Sequence, residues 1–515
     1  MATASSSLTR ITLGIMFLVL LSKAIGFFRE IIVAHRFGTG LDYDVYLIAI
    51  TVPMALFTLI SGLSNLFIPV CSAIQADGDF RERVKRLWAD FNGAILAAVV
   101  LSAFICLSAP TLLPFLAPGL EAENYSRAVF ITRVATVLIV LSMLETCFRS
   151  ILNAEKKFAA AAFGPVIANA VLVGILIALA HRLSVLALLY GTIAGIAVQV
   201  IILLLAVRST AVAQRFSFQL WHSGTGQFVT AAGLIMLIEA ASQAYALVDR
   251  YFASSMPAGV VSALGYAYVL FHLPVSVVAF ALATVLFPYL ADSLEKGDRS
   301  ESGRLLTRGI EVSLLLAIPF TMIFFVFSRE LVTVIYQRGA FTASSAAATS
   351  ELIDFFIFGI TGQFLLWLLF RAYYAARKYR LLIINVVILI IIKMAASWAL
   401  APSMGAIGLA VASSLSYTGG AVFLLLLAGP KVAPVDGRAV LVYFVKLLPV
   451  TAAGGGLAYL ARETIIQGND LFAELIWRLP LSLVLVLAAL IGIGWVFRIE
   501  EVRGLFRGGK NRSDS

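Results

Sequence analysis

Long apolar runs separated by short polar loops follow one another from residue 11 to residue 497. A helix needs about 20 apolar residues to cross the hydrocarbon core of a bilayer. The pattern predicts fourteen such segments, numbered 1 to 14 in chain order: 11–28, 44–74, 92–116, 127–151, 158–180, 184–207, 227–253, 263–291, 308–328, 349–377, 381–401, 405–428, 440–461 and 474–497. We therefore expect an all-α polytopic membrane protein with about fourteen transmembrane helices.

The composition favours the same class, since 61% of the 515 residues are hydrophobic and only 13% are charged. Soluble domains have roughly 45–50% apolar and about 25% charged residues. The net charge of +10 does not indicate nucleic-acid binding, because the basic residues are spread over loop after loop. We expect no nucleic-acid partner.

The short loops after the even-numbered segments carry most of the basic clusters. These residues are Arg81, Arg83, Lys85, Arg86, Lys156, Lys157, Arg208, Arg215, Lys296, Arg299, Arg304, Arg308, Arg377, Lys378 and Arg380. Loops rich in lysine and arginine remain on the cytoplasmic side of a membrane. The pattern therefore predicts that these loops and both chain termini are cytoplasmic.

Four landmarks of the first half of the chain return about 220 residues later. The pairs are Pro53 with Pro274, Asp79 with Asp298, Arg149 with Arg371, and Lys156 with Lys378. A shared offset indicates an internal duplication. The repeated unit holds six segments, an even number, so both copies enter the membrane from the same side and form a parallel repeat.

The duplication predicts three regions. Residues 1–215 form an N-terminal lobe of segments 1–6, residues 216–430 a C-terminal lobe of segments 7–12, and residues 431–515 hold segments 13 and 14 with a basic cytoplasmic tail. Transporters built from such repeats bind substrate near the midplane and alternate access by rocking. This architecture predicts a transporter.

Charged side chains interrupt segment 1 and the start of segment 2, where they are costly unless they face a cavity, a partner or a substrate. Lys23, Arg29 and Asp44 are the candidates for binding an anionic headgroup. On a regular helix Lys23 and Arg29 point about 120° apart. A bend or local unwinding at Gly26 would bring them together. The alternatives are that Lys23 snorkels or pairs with Glu30, and that Asp44 caps segment 2.

Segment 7 carries Glu239, Asp249 and Arg250, and segment 11 carries Lys393. Glu239 lies deep in an apolar run, so it is a candidate for binding a coupling cation or proton. A structural ion pair between Glu239 and Lys393 is the alternative. Asp249 and Arg250 lie near the outer end of segment 7, where an interfacial position is the simpler interpretation.

Two further pairs of charges have structural interpretations. Glu145 and Arg149 are four residues apart in segment 4, a spacing that predicts an ion pair within one helix near the cytoplasmic face. Glu351 and Asp354 stand at the predicted start of segment 10, where carboxylates favour the positive end of the helix dipole.

The sequence lacks the common short motifs of nucleotide and metal chemistry. It has no GxxxxGK[ST], HExxH or GxSxG motif and no paired Cys and His spacing. We expect no ATP hydrolysis, no metal site, no cofactor and no enzyme activity. An enzyme acting on lipid-linked sugars stays an alternative, because a few membrane carboxylates can act as acid and base.

Three stretches resemble the lipid II flippase (MurJ/MviN) family of the multidrug/oligosaccharidyl-lipid/polysaccharide exporter superfamily. They are SKAIGFFREIIVAHRFGTGLDYDVYLIAITVP from Ser22, VSALGYAYVLFHLPVSVVAFALATVLFPYLA from Val261, and YQRGAFTASS from Tyr336. The last stretch is similar to the RG-x-FT signature of the family, here Arg338, Gly339, Phe341 and Thr342. The resemblance covers nearly the whole chain.

The resemblance implies a flippase in a bacterial inner membrane, serving peptidoglycan biosynthesis. Its substrate would be an undecaprenyl-pyrophosphate-linked sugar precursor, carried from the cytoplasmic to the periplasmic leaflet. In the family, arginines on helices 1, 2 and 8 line a cationic cavity, and helices 13 and 14 form a groove for the polyprenyl tail. Lys23, Arg29 and Asp44 match family positions, with lysine in place of the usual first arginine.

Two family arginines have no match in this chain. Segment 2 continues after Pro53 as MALFTLISGLSN, and segment 8 has Ala267, Tyr268, Val269 and Leu270 where the family often has Ala-Asp-Arg-Leu. Loss of two cations weakens attraction for a pyrophosphate. A flippase for an exopolysaccharide or O-antigen repeat unit on the same carrier is therefore an alternative, and a cation-coupled multidrug exporter is a second one.

The remaining expectations concern energy and assembly. Since no nucleotide site is present, the membrane potential or a coupling cation, Na⁺ or H⁺, would drive the return step. The expected partners are the lipid-linked oligosaccharide and membrane lipids, and the chain is expected to be a monomer.

Overall fold

A computed structural model describes residues 2–73, 80–222, 224–465 and 472–496. These ranges form eighteen α-helices and no strand. The helices are α1 Ala2–Phe37, α2 Leu41–Gly62, α3 Ser64–Ala73, α4 Phe80–Leu116, α5 Ala122–Ala135, α6 Val137–Ala154, α7 Phe158–Leu183, α8 Val185–Arg208, α9 Thr225–Ala253, α10 Val260–Pro274, α11 Phe280–Glu295, α12 Arg299–Tyr336, α13 Ala343–Phe356, α14 Ile360–Ala375, α15 Tyr379–Met404, α16 Ala406–Lys431, α17 Gly437–Ile465 and α18 Phe472–Val496.

Each predicted segment coincides with one helix or with two consecutive helices. Segments 2, 4, 8 and 10 are the double ones, formed by α2 and α3, α5 and α6, α10 and α11, and α13 and α14. Twelve spans in the described residues are long and apolar enough to cross a membrane. Helices α1 and α9 cover the other two predicted segments. The expected all-α polytopic membrane fold is confirmed.

Several helices continue beyond their apolar part. α4 begins at Phe80 and α12 at Arg299, about three turns and two and a half turns before the predicted starts at residues 92 and 308. The Asp298 side chain accepts a hydrogen bond from the Glu301 amide (2.9 Å) and so caps α12. Hydropathy detects only the lipid-soluble part of a helix, and the charged ends lie outside it.

Helix α13 begins earlier than the sequence suggested. Thr342 is its N-cap, and its side chain accepts a hydrogen bond from the Ser345 amide (3.3 Å). Glu351 and Asp354 consequently lie in the last two turns of α13, not at its start. The helix-dipole interpretation of these two carboxylates is wrong, because the cap precedes the apolar run by a full seven residues.

The double segments break at identifiable residues. α2 ends at Gly62, and Leu63 links it to α3. α10 ends at Pro274, followed by a π-helical turn over Val275–Ala279. Proline has no N–H for the preceding turn, so a helix commonly changes its hydrogen-bond pattern there.

The backbone corrects the register of the predicted repeat. Lys157 N donates to Leu152 O (2.8 Å), and Lys378 N donates to Tyr373 O (2.9 Å), in two matching turns. The residue before each lysine has positive φ, +60° at Lys156 and +56° at Arg377. Lys157 is therefore the counterpart of Lys378, and Lys156 the counterpart of Arg377.

The predicted pairing of Lys156 with Lys378 is wrong by one residue, and so is the pairing of Arg149 with Arg371. Because a helix admits no gap, the same register places Phe370 opposite Arg149. One residue is about 100° around a helix, so the two arginines point in different directions. Of the other landmarks, Asp79 lies outside the described residues.

The chain divides into two compact units. The first is Met1–Ser262 with Arg338–Phe341, and the second is Ala263–Gln337 with Thr342–Ser515. Within the first unit α7 packs on α1 and on α8, and within the second α15 packs on α16 while α17 packs on α12 and α18. Helix α9 belongs to the first unit, and the lobe boundaries at residues 215 and 430 stay a prediction.

Candidate functional site

Arg29 is held by its chain neighbour Glu30. Its Nη2 and Nε atoms both donate to Glu30 Oε1, at 2.5 and 3.2 Å. Glu30 was one alternative partner for Lys23, and this alternative is wrong because the arginine takes the carboxylate. One third of the Arg29 side chain (33%) is still exposed. The pair lowers the positive charge near Arg29 without closing access to it.

Lys23 lies at a cavity formed by α1, α6 and α7, which we call the α1/α6/α7 cavity. Its volume is about 390 Å³, and it is lined by Val19, Ser22, Lys23, Arg149, Asn153, Phe158, Ala161, Ala162 and Pro165. α1 stays helical through Gly26, so the expected unwinding there is not seen. The cation that shares this cavity with Lys23 is Arg149, and Arg29 is not part of its lining.

Arg149 is fixed by a buried carboxylate. Its Nη2 lies 3.2 Å from Glu145 Oε2, which confirms the predicted ion pair within one helix. The Glu145 side chain is only 4% exposed, and its Oε1 accepts a second hydrogen bond from Gln199 Nε2 on α8 (3.0 Å). Arg149 Nη2 also donates to Ser64 Oγ on α3 (3.4 Å). These contacts fix the guanidinium while 27% of the side chain remains exposed.

Asp44 binds the beginning of α10. Its two carboxylate oxygens accept hydrogen bonds from the amides of Gly259 (2.6 Å) and Ser262 (2.7 Å), and the residue is 4% exposed. Arg250 Nη1 donates to the Val261 carbonyl (3.1 Å) in the same turn. Asp44 therefore caps α10 and not its own helix, which corrects the cap alternative. Its predicted role at a headgroup stays a prediction.

Lys393 is fully buried on α15. Its Nζ donates to Leu409 O (2.9 Å) and to Ser413 Oγ (2.7 Å), both on α16. A buried ammonium group is costly, and oxygen acceptors offset part of that cost. Helix α15 packs on α16 along this contact.

Glu239 of α9 lies against α2. A methyl group added at Gly62 would meet Glu239 Cγ at 2.7 Å, so the glycine makes room for the acidic side chain. Asp249 lies one residue before Arg250, near the end of the same helix. The suggested pairing of Glu239 with Lys393, and the coupling role of these four residues, stay predictions.

The RG-x-FT signature packs against the end of α1. Ala340 N donates to His35 O (2.8 Å), and Gly339 has φ +59° with no room for a methyl group beside His35. Gly38 has φ +54°, and a methyl group there would collide with Ala340 O. Phe341 is 1% exposed. The signature therefore has a packing role in the first unit, which its sequence did not reveal.

Sequence reasoning missed Arg149 as a cavity residue. Its spacing from Glu145 indicated a structural pair, and nothing in the sequence placed it next to Lys23. In the described ranges, no group of three or more His, Cys, Asp or Glu side chains could hold a metal ion.

Comparisons with known proteins agree on one family. The model of the family described as lipid II flippase MurJ matches residues 33–486. The chain is 25% identical to the lipid II flippase of Burkholderia cenocepacia, covering 78% of this chain and 80% of that one. It is 24% identical to the probable lipid II flippase of Haemophilus influenzae, covering 92% and 96%.

Solved structures show the same fold. A lipid II flippase in an inward closed conformation superposes with a TM-score of 0.80 at 20% identity, covering 96% of this chain and 100% of the other. An inward-facing multidrug transporter of the MATE family superposes with a TM-score of 0.64 at 12% identity, covering 80% and 94%. At these identities the likeness concerns the fold alone.

Proposed function

The chain belongs to the lipid II flippase MurJ family of multi-pass inner-membrane transporters, and on that basis we propose that it carries lipid II or a closely related precursor. The substrate is an undecaprenyl-pyrophosphate-linked sugar, moved from the cytoplasmic to the periplasmic leaflet by alternating access. Peptidoglycan synthesis outside the membrane consumes such a precursor.

The observation that carries the proposal is the pair of accessible cations on α1. Lys23 lines the α1/α6/α7 cavity, and one third of the Arg29 side chain is exposed although Glu30 pairs with it. Accessible cations inside a membrane helix favour an anionic ligand, and an arginine fork suits the oxygens of a phosphate. A pyrophosphate on a lipid carrier is such a ligand.

Helices α17 and α18 supply a surface for the polyprenyl tail. Large apolar side chains are exposed on both, among them Leu441 (61%) on α17 and Val484 (62%) on α18. The two helices pack on each other. Their exposed apolar side chains would keep the tail in contact with lipid while the headgroup binds at the α1 cations.

The orientation and energy source belong to the same proposal. The basic loops predict that both termini are cytoplasmic, and the chain acts as a monomer. The membrane potential or a cation, Na⁺ or H⁺, drives the return step, with Glu239, Asp249, Arg250 and Lys393 as the charges that respond. A flippase for an exopolysaccharide or O-antigen unit is the second candidate, favoured by the missing arginines: the α10 positions are Ala267, Tyr268, Val269 and Leu270.

Complementation separates the two candidates. A strain depleted of its own lipid II flippase should grow when it produces this chain, and production of Arg29→Ala at the same membrane level should reduce rescue severely. Failure of the unaltered chain to rescue, with normal membrane expression, would contradict lipid II as the substrate. Full rescue by Arg29→Ala would contradict the role of that arginine.

A further inference from the structure

We propose that Arg149 is a second headgroup-binding cation, which forms with Lys23 an anion site for the substrate pyrophosphate in the α1/α6/α7 cavity. The inference rests on the proposed function, since it names the residues that receive the charged part of the same substrate. It adds Arg149 to the expected cations Lys23 and Arg29, because Arg149 is the cation that shares the cavity with Lys23.

The predicted orientation puts the cavity in the cytoplasmic half of the membrane. Arg149 is five residues before the end of α6, about 8 Å along the helix axis. The turn beyond that end, Glu155–Lys157, is one of the basic loops assigned to the cytoplasm. Lys23 is fourteen residues before the end of α1, about 21 Å along its axis. That end of α1 is predicted to be on the opposite side of the membrane, so Lys23 also lies in the cytoplasmic half. Both cations are where a substrate from the cytoplasmic leaflet presents its phosphates.

The chemistry of the lining suits a phosphate group. A guanidinium has five N–H donors, and the contacts of Arg149 to Glu145 and Ser64 both use Nη2. Asn153 follows one turn later on α6 and lines the same cavity. Phe158, Ala161 and Pro165 form apolar walls, which exclude water and strengthen charge interactions. A volume of about 390 Å³ is within the range of small-ligand pockets.

Glu145 sets the strength of the site. Its carboxylate is buried behind the guanidinium and neutralises part of its charge. Lys23 and Arg149 with one carboxylate leave a net single positive charge, compatible with binding that must later release its ligand. Gln199 holds Glu145 from the other side, so the carboxylate cannot easily turn away from Arg149.

The second half of the chain lacks an equivalent cation. The corrected register places Phe370 opposite Arg149, and the neighbouring Arg371 lies 5.9 Å from the ring centres of both Phe280 and Phe287. The asymmetry favours a ligand site over a requirement of the repeat itself. Arg149 also supplies a positive charge to a chain that lacks the family arginines on segments 2 and 8.

Binding of undecaprenyl pyrophosphate to the full chain in lipid nanodiscs tests the proposal. Removing Arg149 alone would leave Glu145 buried without its cation, so the informative variants are Glu145→Gln and the double variant Glu145→Gln/Arg149→Ala. We expect Glu145→Gln to bind about two- to tenfold more tightly than the unaltered chain, because the guanidinium is released. The double variant should bind roughly tenfold or more weakly than Glu145→Gln, as expected for the loss of a charged hydrogen bond.

Two controls complete the experiment. Lys157→Ala removes a nearby cation that is outside the cavity lining and should leave binding unchanged. Arg149→Lys keeps the positive charge but loses the planar, multidentate guanidinium. Its affinity should lie between that of the unaltered chain and that of the double variant. Equal affinity of Glu145→Gln and the double variant, with both melting cooperatively, would overturn the role of Arg149. If the unaltered chain neither binds the probe nor flips lipid II, the proposed function itself fails.

Discussion

Three carboxylates of the first unit accept hydrogen bonds from identified donors, and two of these donors are the arginines Arg29 and Arg149. Glu30 engages Arg29, Glu145 engages Arg149 and Gln199, and Asp44 engages two amides of α10. A buried carboxylate without such donors would be costly. The partner of each arginine therefore determines how much of the arginine side chain stays exposed.

Substitution of Asp44 tests how much stability these hydrogen bonds contribute. Asp44→Ala removes the acceptor of two buried amides, so we expect the free energy of unfolding to fall by about 2–4 kcal/mol. Asp44→Asn keeps one acceptor oxygen and should lose about half as much. Thermal unfolding of the detergent-solubilised variants measures the difference. An Asp44→Ala variant as stable as the unaltered chain would show that the cap on α10 carries no stability.

Lys393 tests whether a buried cation serves transport. Lys393→Met fills a similar volume without charge, and replacement of a buried charge by an apolar group is often neutral for stability. We expect normal membrane expression with a loss of transport of about tenfold, a size typical of one charged interaction. Lys296→Met, at an exposed lysine paired with Asp292, is the control. Unchanged transport by Lys393→Met would limit the lysine to packing α15 on α16.

The sequence shows which charged residues of the site are unusual, but not which side chains lie next to them. The sequence identified Lys23, Arg29 and Glu239 as unusual, because charge in an apolar run is visible without a structure. Their neighbours come from other helices, and a helical wheel describes one helix only. For that reason the sequence allows a pair of Lys23 with Glu30 and gives no sign that Arg149 lies at the same cavity as Lys23.

At the scale of helices, hydropathy predicted the membrane spans well and their ends poorly. Ends are set by caps such as Asp298 and Thr342, which lie in polar sequence outside the apolar runs. The repeat was visible in the sequence, but its register was decided by two backbone turns. Positive φ at a lysine or arginine gives no sequence signal, so the one-residue error could not be seen beforehand.

The contact of the signature loop with α1 can be tested with two glycines of similar backbone conformation. Gly38 has φ +54° and no room for a methyl group, whereas Gly405 has φ +57° with open space around it. Gly405→Ala should cost only backbone strain, about 1 kcal/mol. Gly38→Ala should cost more, because Ala340 must also move. Thermal unfolding compares the two variants. Equal losses of stability would mean that Ala340 moves away from the added methyl group at no cost.

At the scale of the whole molecule, composition and segment count predicted the class of protein and about fourteen helices. The division into units was beyond sequence reasoning, since Arg338–Phe341 joins a unit whose other residues end at Ser262. Such an assignment depends on packing between residues far apart in the chain. Family resemblance supplied the function, and the charges alone would not have named a lipid-linked sugar.

The orientation of the chain in the membrane, predicted from the basic loops, can be tested by cysteine labelling. In a background in which Cys71, Cys106 and Cys147 are replaced, a cysteine at Lys156 should react with a membrane-impermeant reagent only after cells are opened. A cysteine at Glu123, in the opposite loop region, should react in intact cells. The reverse pattern would invert the topology deduced from the basic loops.

Direct observation of lipid II crossing a membrane tests the central claim. The chain is reconstituted into vesicles that hold labelled lipid II in one leaflet, and the fraction reached by an impermeant quencher is followed under an imposed membrane potential. We predict that the unaltered chain exposes lipid II to the quencher faster than empty vesicles do, and that Arg29→Ala slows this exposure at least tenfold. Equal rates for the unaltered chain and for empty vesicles would contradict the proposal that this protein flips lipid II.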